Sequence, residues 1–326
     1  MRAAWYERNG PAREVLTVGE MPDPEPGPGE VRVRLATSGV NPSDVKARAG
    51  RTRKIAFPRV IPHSDGAGTI DAVGPGVPAS RLGERVWTWN AQWKRAFGTC
   101  AEAVTLPGEM AVPLPDSASF EIGACLGIPL MTAAHVIETA QAWAGSTLLI
   151  SGGAGAVSHY AIQLARMRGA VVITTVSSPE KAALARAAGA DHVIDYRRED
   201  VGARVKELTD GAGVDAVIEL DIAANTALLP QVLRPRGLVV VYGTGGAEGP
   251  VPLYFFLTGQ IALKFVFVYE LTAEERATAL ATIAGALAAG RLVHNIAAVM
   301  PLAEVAAAHE AVESGRVAGN VVLSIG

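Results

Sequence analysis

Gly152, Gly153 and Gly155 follow directly on the apolar run Leu148-Leu149-Ile150-Ser151, and apolar residues at helical spacing continue through Val157, Ala161, Leu164 and Ala165. A strand, a glycine turn and a helix in that order aim backbone N–H groups at one point, the arrangement that holds a pyrophosphate at a helix N-terminus. The spacing is Gly153-x-Gly155-x-x-Ser158, one residue away from the dinucleotide pattern Gly-x-Gly-x-x-Gly. Gly153, Ala154, Gly155, Ala156 and Val157 are therefore read as a cofactor-binding turn, with a ligand-free tight turn as the alternative for this motif taken alone. The second apolar run, Val171 to Val176, ends in Ser177-Ser178 with Lys181 beyond it. NAD-preferring folds place a carboxylate at that point to bind the ribose 2′-hydroxyl. Hydroxyls and a nearby cation suit a 2′-phosphate instead, so the pattern points to NADPH over NADH.

These residues need a scaffold, and the texture of the chain supplies one. Strands are expected at 147–150, 171–176, 192–194, 214–220 and 238–242, and helices at 156–168, 179–188, 198–209 and 224–233. That alternation implies a doubly wound parallel sheet covered on both faces. Gly243-Thr244 ends the fifth strand at the cofactor edge of such a sheet. Ile261 to Tyr269 is a sixth strand. Ala273 to Ala289 and Leu302 to Ser314 are helices, and Asn320 to Ser324 closes the chain as a strand. Before Ser119 the chain is β-rich: Val31-Arg32-Val33-Arg34-Leu35 alternates as a half-buried strand does, and Gly66 to Gly74 reads as a strand between glycine turns. A small antiparallel barrel is the natural inference.

Taken in order, several segments resemble the medium-chain dehydrogenase/reductase superfamily and, within it, the zinc-free quinone oxidoreductases related to zeta-crystallin. They are Gly39-Val40-Asn41-Pro42-Ser43-Asp44, Gly66 to Gly74, Pro129-Leu130-Met131-Thr132-Ala133-Ala134 and Lys181 to Tyr196. The resemblance implies an α/β fold with a GroES-like β-rich catalytic domain, residues 1–122 and 270–326, and a Rossmann dinucleotide-binding domain, residues 123–269. It also implies that Ser177, Lys181 and Tyr196 hold the 2′-phosphate, that Thr132 lies beside the nicotinamide, and that the backbone of Phe267-Val268-Tyr269 reaches its amide. Asn41 stands where the zinc enzymes of the superfamily keep a cysteine, and Ser64-Asp65 stand where they keep a His-Glu pair. Neither asparagine nor serine is a usual zinc ligand, so no metal is expected. His63 is read as a loop histidine with structural hydrogen bonds. Two departures stand out: Gly153, Ala156 and Ser158 replace the family's first alanine and two glycines in the loop, and Asn320 replaces a frequent lysine.

For Asn41 two readings stand: an amide that donates to the substrate oxygen, or a residue that shapes the turn before Pro42. For Thr132 the alternative is a hydroxyl bonded back into its own helix, and for Lys181 it is a solvated helix lysine. Asp44 reads as a helix-capping residue. Trp87, Trp89 and Trp93 either wall an acceptor pocket or pack a β domain. The implied activity is NADPH-dependent transfer of hydride to a quinone or related conjugated carbonyl. A C=C (enoyl or alkenal) reductase and a non-catalytic NADPH-binding protein are the alternatives.

The rest of the chain bounds these readings. The formal net charge is −3 and no long basic run occurs, which excludes nucleic acid and anionic membrane as expected partners. The only cysteines, Cys100 and Cys125, form no framework and fit a reducing cytoplasm. No signal peptide or membrane span is read. The β-prone segment 261–269 would invite aggregation as a bare edge. In the family it pairs with its copy across a two-fold axis, so a homodimer is expected.

Overall fold

The computed structural model describes residues 1–326, which divide into two compact units, Met1–Pro129 with Ile296–Gly326, and Leu130–Asn295. Sequence reading put the boundaries at 122/123 and 269/270. The helix Ala273–Ala288 packs against the helix Met131–Thr139, which keeps it in the second unit.

The second unit is a six-stranded parallel sheet. Its order is His192–Asp195, Val171–Val176, Thr147–Ile150, Val214–Glu219, Leu233–Val241 and Ala262–Phe265. The central strands Thr147–Ile150, Val171–Val176 and Val214–Glu219 are largely apolar runs because both faces are buried. Leu149, Ile173, Val217 and Val239 lie in one core cluster, each fully or almost fully buried. The order reverses between Thr147–Ile150 and Val214–Glu219, and this switch point is where open α/β sheets bind ligands, at the carboxyl ends of the strands. The glycine turn leaves the first of those two strands.

Three sequence expectations are corrected here. The sixth strand covers only Ala262–Phe265, and Val268–Glu270 forms a 3₁₀ turn. The fifth strand begins at Leu233 rather than 238, so the polar stretch Arg234-Pro235-Arg236-Gly237 belongs to it. Its charged side chains are exposed, which hides a strand from a reading based on apolar periodicity. The helix expected over 224–233 is three short pieces, Ile222–Asn225, Thr226–Leu228 and Leu229–Val232.

The first unit is built on a seven-stranded sheet whose long strand, Glu30–Val40, pairs antiparallel with Asp65–Val73, Ala103–Pro107 and Asn320–Ser324. The last pairing, Val322 against Gly39, carries the C-terminal segment into this unit. Val33, Leu35, Ile61, Val104 and Leu323 share its core. The buried Arg48 ties the helix Pro42–Arg48 to Val305–Glu313 through Glu313, at 2.8 Å. No helix is long and apolar enough to cross a membrane.

Candidate active site

In the second unit the turn has the conformation its glycines permit. Gly152 sits at φ +67°, in the left-handed region that favours glycine. A Cβ on Gly153 would lie 2.4 Å from Thr174 Oγ1, so only glycine lets the turn close on the neighbouring strand. The N–H groups of Gly152, Gly153 and Gly155 are used inside the turn, on Thr175 Oγ1, the Thr175 carbonyl and the Gly152 carbonyl. Those of Ala156 and Val157, at the first two positions of the helix Ala156–Met167, have no partner and are half-exposed. Such donors are what a phosphate accepts from.

Ser158, the departure from the glycine pattern, has a defined role. Its hydroxyl donates to the Ser151 carbonyl at 2.7 Å, so its oxygen accepts from Tyr242 Oη at 2.9 Å. Ser151 Oγ in turn donates to the buried Glu219 at 2.7 Å. The close helix–strand approach that a third glycine allows is thus replaced by a hydroxyl chain that pins the helix start to two strand ends. Tyr242 was not found from sequence, where nothing distinguishes it from a packing aromatic. Burial pushes its phenol upward in pKa, which keeps it a donor.

At the tip of the second strand Lys181 Nζ donates to Ser177 Oγ at 3.2 Å, and the Tyr196 N–H donates to the Val176 carbonyl at 3.1 Å. The structure therefore brings Ser177, Lys181 and Tyr196 together. Glu180 lies next to them, fully exposed, with its carboxyl held low by a hydrogen bond to Ser178. Gly243, Thr244 and Phe267 line one cavity of about 350 Å³, whereas Val268 and Tyr269 do not. Val268 is buried, and the Tyr269 ring packs on Phe267 at 5.3 Å. Thr132, on the helix Met131–Thr139, is 4% exposed and its Oγ1 has no hydrogen-bond partner. It is not bonded back into its helix. A buried hydroxyl left unsatisfied costs about 1–3 kcal/mol, so the Thr132 hydroxyl is available to a partner from outside its helix.

In the first unit Asn41 is the N-cap of the helix Pro42–Arg48. Its backbone N–H donates to Asp44 Oδ2 at 2.8 Å, and its Nδ2 to Asp65 Oδ2 at 2.7 Å. The Asp65 carboxyl also accepts from the Ile128 N–H at 2.9 Å. The Asn41 side chain also acts on the Asp44 carboxyl, so two buried acids, Asp65 and Asp44, hold this amide in place. Asp44 works at the helix start, as expected, from the third helical position. Burial pushes its carboxyl up to about 7, against the opposing effects of Asn41 and the Arg53 cation. Burial, followed by the charge on Asp44, raises Asp65 well above the carboxylate range.

His63 has both ring nitrogens engaged, Nδ1 with Ser38 Oγ at 2.9 Å and Nε2 with His309 Nε2 at 2.8 Å. The chain fixes its own polarity. Thr99 Oγ1 donates to the Asp65 carbonyl at 2.6 Å and so accepts from Ser38, 2.8 Å away. Ser38 then accepts from His63 Nδ1–H, and His63 Nε2 accepts from His309 Nε2–H. His309 Nδ1, buried and unpartnered, is left without a proton.

The superfamily includes zinc enzymes, and this donor set does not fit zinc. Asn41 and Ser64 are poor ligands, both His63 nitrogens are taken, and no three His, Cys, Asp or Glu side chains group together.

Residues 27–116 match the family described as an alcohol dehydrogenase GroES-like domain, and residues 156–285 match that described as zinc-binding dehydrogenase. The chain is 34% identical over 317 residues to a quinone oxidoreductase of Pseudomonas aeruginosa, covering 95% of each chain. It belongs to the quinone oxidoreductase family of medium-chain dehydrogenases/reductases. A 2-haloacrylate reductase of a Burkholderia species is 32% identical, over 99% of this chain and 98% of its own. An Escherichia coli quinone oxidoreductase solved in complex with NADPH superimposes with a TM-score of 0.88 at 27% identity, covering all of both chains. As a member of this family the chain is an NAD(P)H-dependent oxidoreductase with the GroES-like and Rossmann domains read from its sequence.

Proposed function

We propose that this quinone oxidoreductase homologue reduces a quinone or related conjugated carbonyl with NADPH, without a metal. NADPH, when bound, supplies a hydride. The N–H groups of Ala156 and Val157 hold the diphosphate, Ser177, Lys181 and Tyr196 the 2′-phosphate, and the cavity beside Gly243, Thr244 and Phe267 the nicotinamide end. The backbone of Val268 and Tyr269, next to Phe267 but outside the cavity lining, is assigned to the nicotinamide amide on the family resemblance alone. Thr132 offers its unpartnered hydroxyl on the same unit. Asn41, held by Asp65 and Asp44, turns an amide hydrogen to the acceptor oxygen, where charge builds as hydride arrives. The product oxygen takes its proton from solvent.

The observation that carries this reading is the strand tip, where Lys181 meets Ser177 with no carboxylate at that position. NADPH oxidation against 1,4-benzoquinone, 9,10-phenanthrenequinone and a panel of enones tests it. Turnover with the quinones is the expected result; NADPH binding without turnover of any acceptor overturns it. A C=C reductase is the second reading, favoured by the match to the 2-haloacrylate reductase, and turnover confined to the enones would establish it.

The strand Ala262–Phe265 is a sheet edge with Phe265 exposed, and Leu253, Tyr254 and Leu257 are more than 70% exposed on the preceding helix Leu253–Gly259. A second copy is the occupant we propose for this face, forming a cytoplasmic homodimer. Light scattering at micromolar concentration should give twice the chain mass; a monomer mass refutes it.

A further inference from the structure

The tryptophans of segment 87–93 separate by burial. Trp87 and Trp89 are core residues, while Trp93 is half-buried and carries the Arg53 guanidinium 5.1 Å from its ring centroid. Arg53 Nη2 donates to Gln92 Oε1. Gln92 is itself buried and pinned, its Nε2 donating to the Arg95 carbonyl at 2.8 Å. A ring face and a fixed amide oxygen therefore orient this guanidinium.

It has no carboxylate within 4.0 Å. The other arginines of the first unit that are not exposed, Arg32, Arg48, Arg59, Arg81, Arg85 and Arg95, each have a carboxylate within 4.0 Å. Arg53 is half-buried and has a neutral partner only. The ring contact and the bond to Gln92 leave the other guanidinium N–H donors available, in the fork that matches a carboxylate.

The location links this cation to the acceptor side of the reaction. Its field acts on Asp44, which holds the Asn41 N–H. Ala91, next to Gln92, donates its N–H to the Ser64 carbonyl at 3.1 Å, which sets this segment beside Asp65 and so beside the Asn41 amide.

We propose that Arg53 recognises an anionic oxygen group, carboxylate or sulfonate, on the acceptor, so that the preferred substrates are conjugated acceptors carrying such a group. This rests on the reading of the chain as a reductase of conjugated acceptors. The reduction adds one hydride and one solvent proton to the acceptor. No bond forms to Arg53, which stays protonated, balances the anion already present and eases the build-up of a second negative charge.

The test uses a matched pair of probes, 1,4-naphthoquinone and 1,4-naphthoquinone-2-sulfonate, with the intact enzyme and Arg53→Gln. The ratio of the sulfonate KM to the neutral KM should rise roughly tenfold in the variant, the size of a lost charge-assisted contact. Arg53→Lys should restore part of it, since an ammonium keeps the charge and lacks the fork. Calorimetric titration with the sulfonate alone reads binding without turnover and should weaken by the same factor. Turnover of both quinones with a ratio within twofold of the parent overturns the anion site and leaves the reductase reading standing. Arg53-dependent binding of the sulfonate without turnover of either quinone does the reverse, and neither binding nor turnover removes both.

Discussion

Ser177→Asp should reverse the coenzyme preference. In the parent, the Ser177 hydroxyl and the Lys181 ammonium, 3.2 Å apart, close the tip of the strand Val171–Val176. They offer a 2′-phosphate a donor and a positive charge. A carboxylate at position 177 would neutralise Lys181 and stand against the phosphate. Two like charges about 4 Å apart near a surface repel by up to about 4 kcal/mol before screening. A net cost near 2.7 kcal/mol corresponds to roughly 100-fold in affinity, so kcat/KM for NADPH should fall by about that factor. NADH should gain, because the new carboxylate can accept from the ribose 2′-hydroxyl. Steady-state kinetics with both coenzymes check the reversal, and titration with 2′,5′-ADP checks the phosphate contact without turnover. An unchanged NADPH-to-NADH ratio would mean that the 2′-phosphate lies elsewhere. The exposed Glu180 makes this a real test, since it puts an acid four residues past the strand that has no part in the proposed contact.

What was legible in the sequence is what local pattern encodes. The turn at Gly152 was readable because a backbone at φ +67° selects glycine, and the strands Thr147–Ile150 and Val171–Val176 because two-sided burial demands unbroken apolar runs. Partnerships set by tertiary folding left no such trace. His63 could be read as structurally hydrogen-bonded, yet its partner His309 lies 246 residues away on the helix Val305–Glu313. Asp65 could be aligned with a metal-site acid, but its use as an anchor for Asn41 depends on a strand and a helix start meeting. The strand Ile296–Pro301 went unseen because its outward residues include Ala297 and Val299, which erase the alternation of polar and apolar side chains. Arg53 reads as one of several cations between Arg51 and Lys54; only the lack of a carboxylate within 4.0 Å, a matter of tertiary structure, sets it apart.

The His63–His309 pair should make the protein acid-sensitive in a way that a double variant removes. Burial lowers the His63 pKa to about 3; burial, followed by the neighbouring charges of His63 and Arg48, lowers His309 well below its ordinary value. Both rings are then neutral in the folded chain at pH 5, whereas in the unfolded chain they take up protons near pH 6.5. The unfolded state binds the extra protons, so this contribution is intact above pH 6.5 and is lost as the pH falls toward 3. Between pH 7 and pH 5 the loss is about 2 kcal/mol for His63, and His309 adds to it in the same sense. Asp44 and Asp65 act in the opposite sense: raised in the fold, they are favoured when protonated, so stability rises as pH falls through the same window. The net slope of the parent therefore mixes both effects, and the informative quantity is the difference between parent and variant. His63→Asn with His309→Gln removes the titrating rings and keeps polar groups in place. Asparagine also tolerates the left-handed backbone at position 63, φ +76°. Urea unfolding of the variant should show a pH 7-to-5 stability change more favourable than the parent's by at least about 2 kcal/mol. Histidine nitrogen NMR of the parent at pH 5 should show His63 protonated at Nδ1 only and His309 at Nε2 only. Equal pH slopes in the two proteins, or an imidazolium signal from either ring at pH 5, would refute the neutral pair.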